Sequence, residues 1–202
     1  LEAGNGIWNI DTMEHFDVPK GGFGAGGSPL VENGRVIANI GGAEAGIVAF
    51  DAETGEVLWT STNDEASYSS AVGATIGHQR YAIFHTRRGL VAVDPESGQV
   101  EFERFWRSRS ASSVNAASPI VIGDKIFISA EYGSGAGVLR WDGNELTELW
   151  SSNDVLSTHY ATSIFYDGYL YGYHGRQEFG PSLRAVEFET GRVAWNIDQF
   201  RG

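Results

Sequence analysis

Ala49-Phe50-Asp51-Ala52-Glu53-Thr54-Gly55-Glu56-Val57-Leu58-Trp59 reads Ala-x-Asp-x-x-Thr-Gly-x-x-x-Trp, and the pattern returns along the chain. It recurs as Ala92-Val93-Asp94-Pro95-Glu96-Ser97-Gly98 with Phe102 in the Trp place, and as Ala185-Val186-Glu187-Phe188-Glu189-Thr190-Gly191 with Trp195. Asp and Thr side chains set a turn by bonding local backbone, Gly takes the left-handed position, and the aromatic ring closes the following strand. Gly4 and Trp8 keep the same four-residue offset. A third unit is degraded: Trp141-Asp142-Gly143-Asn144 makes the turn and Trp150 ends the strand.

A second, shorter pattern runs in phase with the first. Strand openings recur at Ser28-Pro29-Leu30-Val31, Ser70-Ala71-Val72-Gly73, Ser118-Pro119-Ile120-Val121 and Thr162-Ser163-Ile164-Phe165, at intervals of 42, 48 and 44 residues. Each is followed by a tight turn, among them Asn33-Gly34 and Asp167-Gly168, whose residues supply the positive φ of two-residue hairpins. Second strands then follow at Arg35–Ile40, Arg80–His85, Lys125–Ser129 and Tyr169–Tyr173, β-branched or aromatic and roughly alternating. Third strands follow at Ile47–Phe50, Leu90–Val93, Val138–Trp141 and Leu183–Val186. A period in this range is that of four-stranded propeller blades. The chain therefore reads as an all-β protein, a β-propeller of four-stranded antiparallel blades at about 28–64, 69–108, 117–154 and 161–200. Residues 4–10 read as the last strand of a preceding blade.

The eleven-residue elements resemble the tryptophan-docking motif of the pyrroloquinoline-quinone-like (PQQ-like) repeat, in the quinoprotein alcohol dehydrogenase-like superfamily, over Gly4 to Trp195. Gly41-Gly42, Tyr68-Ser69-Ser70 and Asp167-Gly168-Tyr169-Leu170-Tyr171-Gly172-Tyr173 resemble a bacterial subgroup of such propellers. The resemblance implies structural docking by Trp8, Trp59, Phe102, Trp150 and Trp195, each against the neighbouring blade. It also implies a ring of seven or eight blades, so that four are expected to be part of a ring, or a half-ring that self-associates to cover its edges. It further implies a periplasmic or extracellular setting.

Composition narrows the functions. There are 26 acidic against 14 basic residues, a net charge of −12. Such a surface repels phosphate backbones and anionic headgroups, so neither nucleic acid nor membrane insertion is expected, and no apolar run approaches the roughly 20 residues of a spanning helix. Cysteine is absent, which removes disulfides, thiolate metal sites and cysteine nucleophiles.

Alternating strands place the short Asp-x-x-Thr-Gly turns on one face and the longer, varied loops on the other, where binding usually sits. Candidate ligand-binding residues on that loop face are Tyr68, Arg87, Asn115, Glu131, His159, Tyr160, His174 and Arg176. His159 reads either as a ligand or proton shuttle or as a channel-mouth residue bonded to an adjacent blade, the commoner outcome. His85 and His174 read as repeat-equivalent positions, and His78 as a solvated turn residue. Arg87, Arg88 and Arg176 read either as a clamp for an anion or as partners for Glu44, Glu131 or Glu178, again the commoner outcome. His15 lies among Asp11, Glu14 and Asp17, a dense set of ligand types on a connecting loop, which offers no convergent geometry for a metal. Gly21–Gly27 lacks the Gly-Lys-Ser/Thr ending of a phosphate cradle and precedes a strand.

No catalytic constellation is recognisable. The reading is a non-catalytic scaffold that binds a protein, glycan or small ligand through its loop face, with no cofactor. The resemblance implies two alternatives, a quinone- and calcium-dependent alcohol or sugar dehydrogenase and an outer-membrane assembly adaptor. No catalytic or metal residue maps onto this chain for the first.

Overall fold

The computed structural model describes residue 4 and residues 6–18, 26–107, 110 and 114–198. Residues 21–25, 108, 112–113 and 199–200, which belong to expected loops and blade limits, lie outside the described residues. Four antiparallel sheets follow one another, each a meander in chain order. The first holds β1 (Leu30–Glu32), β2 (Arg35–Gly42), β3 (Ala45–Asp51) and β4 (Val57–Ser61). The second holds β5 (Val72–Ile76), β6 (Gln79–His85), β7 (Gly89–Val93) and β8 (Val100–Phe105). The third holds β9 (Ile120–Ile122), β10 (Lys125–Ala130), β11 (Gly135–Trp141) and β12 (Leu146–Ser152). The fourth holds β13 (Ile164–Tyr166), β14 (Tyr169–His174), β15 (Ser182–Glu187) and β16 (Val193–Ile197). These are β-propeller blades.

Local chemistry explains the hairpins. Asn33 and Gly34 stand at φ 48° and 73°, and Asp167 and Gly168 at 48° and 80°, the consecutive left-handed pair of a primed turn. At the opposite end, Asp51 Oδ1 accepts from the Glu53 and Thr54 amides at 2.9 and 2.8 Å and from the Thr54 hydroxyl at 3.1 Å. Asp94 repeats the arrangement with Glu96 and Ser97. The Thr54 amide, then that of Glu53, holds the Asp51 carboxyl below the usual carboxylate range.

The outer hairpin carries the same irregularity in every blade. Its register shifts at Ala49/Phe50, Ala92/Val93, Val138/Leu139 and Ala185/Val186, a β-bulge in one repeated place. The residue before each shift pairs with the aromatic: Ala49 with Trp59, Ala92 with Phe102, Val138 with Trp150, Ala185 with Trp195. The third blade, degraded in sequence, thus keeps the plan in register.

Blades pack face to face, and the core lies between them. Ile37, Ile47 and Ala49 of the first meet Ala82, Phe84, Val91 and Val93 of the second. Ile83, Leu90 and Phe102 of the second meet Ile126, Ile128, Leu139 and Trp141 of the third. Phe127, Ala136 and Val138 of the third meet Leu170, Val186 and Phe188 of the fourth. Indole N–H groups cross each boundary. Trp59 donates to the Pro95 carbonyl at 3.3 Å, Trp106 to Gly135 at 3.2 Å, and Trp150 to Phe188 at 2.8 Å. Phe102 has no such donor; its ring lies 4.6 Å from that of Trp141, whose indole N–H reaches back to the Tyr81 hydroxyl at 3.0 Å.

Residues 6–10 are not a strand: among the described residues they pair with none, and Thr12–His15 forms a single helical turn. Among the described residues no strand lies beside them to complete a ladder. Trp8 nonetheless donates to the Ala52 carbonyl at 3.0 Å, and with Ile10 and Phe16 it packs on Val36, Val48 and Phe50. Trp195 is exposed, its ring 6.1 Å from that of Tyr171.

Gly98 and Gly77 separate two reasons for glycine. Both have positive φ, 74° and 63°, but a Cβ on Gly98 would stand 2.5 Å from the Trp59 indole, whereas one on Gly77 would meet nothing within 4 Å. Gly77→Ala is expected to cost about 1–2 kcal/mol from backbone strain alone. Gly98→Ala adds overpacking of about 1–3 kcal/mol. Urea unfolding of the two variants checks the difference.

Candidate functional site

The loop face is built from lead-in segments that lie across the next blade. The Ser28 amide donates to the Ser70 hydroxyl at 3.0 Å, Ser70 to Ser118 at 3.1 Å, and Ser118 to Thr162 at 3.0 Å. This hydroxyl chain links the innermost segments of all four blades. Outside it, the end of each second strand holds the following lead-in. Asn39 accepts from the Ser67 amide at 3.1 Å, His85 Nδ1 stands 3.4 Å from the Ala117 carbonyl, and Ser129 Oγ donates to Leu156 at 2.5 Å.

Strand register makes these positions equivalent: Asn39 pairs with Ile47, His85 with Leu90, Ser129 with Ala136 and Tyr173 with Leu183. Each partner lies two residues before the bulge. The counterpart of His85 is therefore Tyr173, and the expected equivalence with His174 fails by one residue. A one-residue offset in a strand turns a side chain to the opposite face. His174 Nδ1 instead accepts from the Ser157 amide at 3.1 Å, within its own blade.

Asn115 is a buried junction. Its carbonyl accepts from the Tyr68 and Ser69 amides at 3.2 and 3.1 Å and from the Ser67 hydroxyl at 2.5 Å. Its amide nitrogen Nδ2 donates to the Thr86 and Trp106 carbonyls at 2.8 and 3.0 Å. Its backbone carbonyl and its side-chain amide together tie two lead-ins to the second blade. Arg87 pairs with Glu65 at 3.0 Å, and the buried Asp64 accepts from the Thr86 hydroxyl at 2.8 Å. The candidates Arg87 and Asn115 thus serve contacts within and between blades.

Glu131, His159, Tyr160 and Arg176 converge between the third and fourth blades, whereas Tyr68 stays in the lead-in of the second. Buried His159 places Nε2 3.1 Å from the Tyr132 hydroxyl and Nδ1 3.6 Å from a Glu178 carboxylate oxygen. Tyr160 stacks on the His159 ring with centroids 3.7 Å apart and 25° between planes, and half of it (49%) is exposed. The Arg176 guanidinium lies 4.7 Å over the Tyr132 ring and 5.1 Å from that of Phe179, and it binds Glu178 at 2.9 Å. The ion pair of Arg176 thus lies within its own loop, while its ring contact reaches Tyr132 of the third blade. A carboxylate oxygen of Glu131 accepts from the Tyr132 amide.

Burial lowers the pKa of His159 against the opposing pull of the Glu178 and Glu131 carboxylates, and it lowers that of His174 as well. Both rings are therefore poised as neutral imidazoles. Burial raises the pKa of Tyr160, with Tyr132, Glu178 and Tyr68 among the groups acting on it. Glu131, His159, Tyr160 and Arg176 thus meet through Tyr132 and Glu178. Glu178 is an expected arginine partner, whereas Gln177 and Phe179 join without having been singled out. Beside the cluster, His159, Tyr160, Ala161, Tyr173, Gly175, Gln177 and Pro181 line a recess of about 230 Å3.

Among the described residues no three His, Asp or Glu side chains are placed to hold a metal ion. At the expected dense stretch, Asp11 caps the Thr12–His15 turn by accepting from Met13 and Glu14, and His15 packs edge-on to Phe16.

A family model described as outer membrane protein assembly factor BamB matches residues 2–197. The chain belongs to this PQQ-like, BamB-type propeller family. Among solved structures it resembles BamB from Moraxella catarrhalis, with a TM-score of 0.66 and 14% identity over 86% of this chain and 52% of that one. It also resembles quinohemoprotein alcohol dehydrogenase from Comamonas testosteroni, with a TM-score of 0.58 and 17% identity over 86% of this chain and 35% of that one. A europium-containing methanol dehydrogenase gives 0.60 and 14% over 86% and 41%. The chain spans about half the length of the first and less of the others, and at these identities the likeness is one of fold. No curated protein sequence matches the chain.

His85 supplies a pH test of the loop face. It is fully buried, and burial lowers its pKa from 6.5 to about 4 against the opposing pull of the Ala117 and Trp106 backbone. The unfolded chain takes up a proton below about 6.5 that the folded chain refuses until about 4. Stability is therefore full above 6.5 and falls as pH drops toward 4, by up to roughly 3 kcal/mol. His85→Asn, which introduces the residue type of Asn39, is expected to remove that part of the slope in urea unfolding at pH 4.5 and 7.

Proposed function

We propose that this chain is a non-catalytic propeller scaffold whose loop face binds a partner or ligand at the His159–Tyr160–Arg176 cluster. The carrying observation is the polar and aromatic cluster that joins the third and fourth blades, where His159 meets the Tyr132 hydroxyl and Arg176 lies over the Tyr132 ring and binds Glu178. Concave, aromatic-lined places with a few fixed polar groups are the usual form of a binding site. Membership of the BamB-type family favours binding, and an assembly-adaptor role beyond the cytoplasm is the version of this reading that the family model supports. No described helix is long and apolar enough to cross a membrane.

The dehydrogenase alternative asks for groups to hold a quinone with its cation. Three loop-face carboxylates already have partners, Asp64 in Thr86, Glu178 in Arg176 and Glu131 in the Tyr132 amide. That pattern favours the scaffold reading over a cation site.

Calorimetric titration of the folded chain with pyrroloquinoline quinone, with and without calcium, tests the proposal. No heat is expected in either case. Tight, calcium-dependent binding lost on His159→Ala would overturn it in favour of a quinoprotein.

A further inference from the structure

Leu156, Ser157, Thr158 and His159 follow one another in the lead-in to the fourth blade, outside the strands, and all are buried. A buried loop keeps its place only through the partners its polar groups find. Some of these do not titrate. The Ser129 hydroxyl donates to the Leu156 carbonyl at 2.5 Å and accepts from the Thr158 amide at 2.9 Å. The Ser157 hydroxyl donates to the Asn153 carbonyl at 2.7 Å, and the Ser157 carbonyl accepts from the Gly175 amide at 2.8 Å. The other anchors are imidazoles. We propose that Leu156–Tyr160 is an acid-sensitive strap, seated across the third and fourth blades while His159 and His174 are neutral, and lifting at its His159 end when they take up protons. This goes beyond the loop-face reading and holds whatever that face binds.

The His174 contact fixes its own protonation. Its Nδ1 lies 3.1 Å from the Ser157 amide nitrogen, and a backbone N–H can only donate, so Nδ1 is a bare acceptor. A proton there sets donor against donor and leaves the buried Ser157 amide without its partner, the costly form of a lost hydrogen bond. In the lead-in to the second blade the same task falls to a group that does not titrate. Asn39 Oδ1 accepts from the Ser67 amide at 3.1 Å.

His159 works from the strap itself. Its Nδ1 stands 3.6 Å from a Glu178 carboxylate oxygen and its Nε2 3.1 Å from the Tyr132 hydroxyl. A bare Nδ1 would turn its lone pair on that carboxylate, so the proton belongs on Nδ1 and Nε2 accepts from Tyr132. A second proton takes this acceptor away and puts a full charge on a residue that is 4% exposed. Lifting the ring into water relieves the cost. It also withdraws His159 and the stacked Tyr160 from Tyr132, Arg176 and Glu178.

The surrounding charges do not cancel the effect. Glu178 and Arg176 from the loop after β14, Glu131 and Tyr132 from the third blade, and Tyr160 face His159; Arg184, Glu131 and Asp154 face His174. Burial is the largest influence on each ring and lowers both pKa values, with the arginines adding to it and the carboxylates opposing it. A lifted strap returns its rings to an ordinary value of about 6.5. The lifted form therefore binds protons below about 6.5 that the seated form refuses, and opening becomes easier as pH falls.

Amide hydrogen exchange and imidazole ¹⁵N shifts, both followed by NMR on the folded chain from pH 7.5 to 5, test the strap. At pH 7.5 the His174 proton is expected on Nε2, with the Ser157 amide protected. By pH 5 the protection of Ser157, corrected for the intrinsic pH dependence of exchange, is expected to fall about tenfold relative to Ser67. Ser67 is the reference because Asn39 holds it. His174→Asn with His159→Gln keeps an acceptor near each place without a titrating ring, and this double variant should hold the ratio level. Ser157 keeping step with Ser67 in the unaltered chain would overturn the proposal. So would an equal fall in the double variant, or a pKa at or above 6.5 for both rings in the folded chain. Should the double variant not fold, the ring titrations and the Ser157-to-Ser67 ratio of the unaltered chain still decide the matter.

Discussion

An indole N–H reaching over the boundary between two blades is the contact on which the rest of this structure depends. A four-stranded sheet has two apolar faces, and neither is covered by the sheet's own chain. Each blade is stabilised only by its neighbours, as in other repeat architectures. Apolar packing alone would let one sheet slide over the next, because hydrophobic contact is not directional. The indole adds direction. Trp59 and Trp150 each lay a ring on the following turn and donate to one carbonyl within it. Trp8 makes the same contact from a segment that forms no strand.

The boundary between the second and third blades shows what the constraint demands when the residue changes. Phe102 supplies the ring but no donor. There the hydrogen bonds come from Trp106 to Gly135 and from Trp141 back to Tyr81, so the junction keeps both coverage and direction through different residues. A rigid stack follows, and rigidity passes inward to the loop face. Ser70, Ser118 and Thr162 link the lead-ins in series, while Asn39, His85 and Ser129 fasten each to the blade before it. His159 and Tyr160 are held in place by this frame.

The features legible in the sequence are those set by short-range chemistry. Asn33-Gly34, Asp167-Gly168 and the Asp51 turn act within four residues, so the hairpins, the period and the propeller fold follow from reading along the chain. The cluster at the site was legible only as a list of loop residues. Its pairings join Tyr132 of one blade to His159 of the next lead-in, 27 residues on, and no local pattern carries that distance. Arg176 went to Glu178 two residues away, because the short Gln177–Phe179 3-10 turn brings them together. His174 was misplaced because a one-residue difference in strand alignment is invisible without the bulge that fixes register. Residues 6–10 carry the Gly-x-x-x-Trp spacing of a closing strand without the ladder, since the spacing serves the indole contact as well as the strand.

Hydrogen exchange of the tryptophan indole protons, followed by NMR on the folded chain, tests the central claim most directly. The account predicts slow exchange at Trp59, Trp106, Trp141 and Trp150, whose N–H groups are bonded across blade boundaries, and fast exchange at Trp195, which is exposed on the fourth blade. Equal and fast exchange at all five would contradict it, because the blades would then be held by apolar packing without the directional contact.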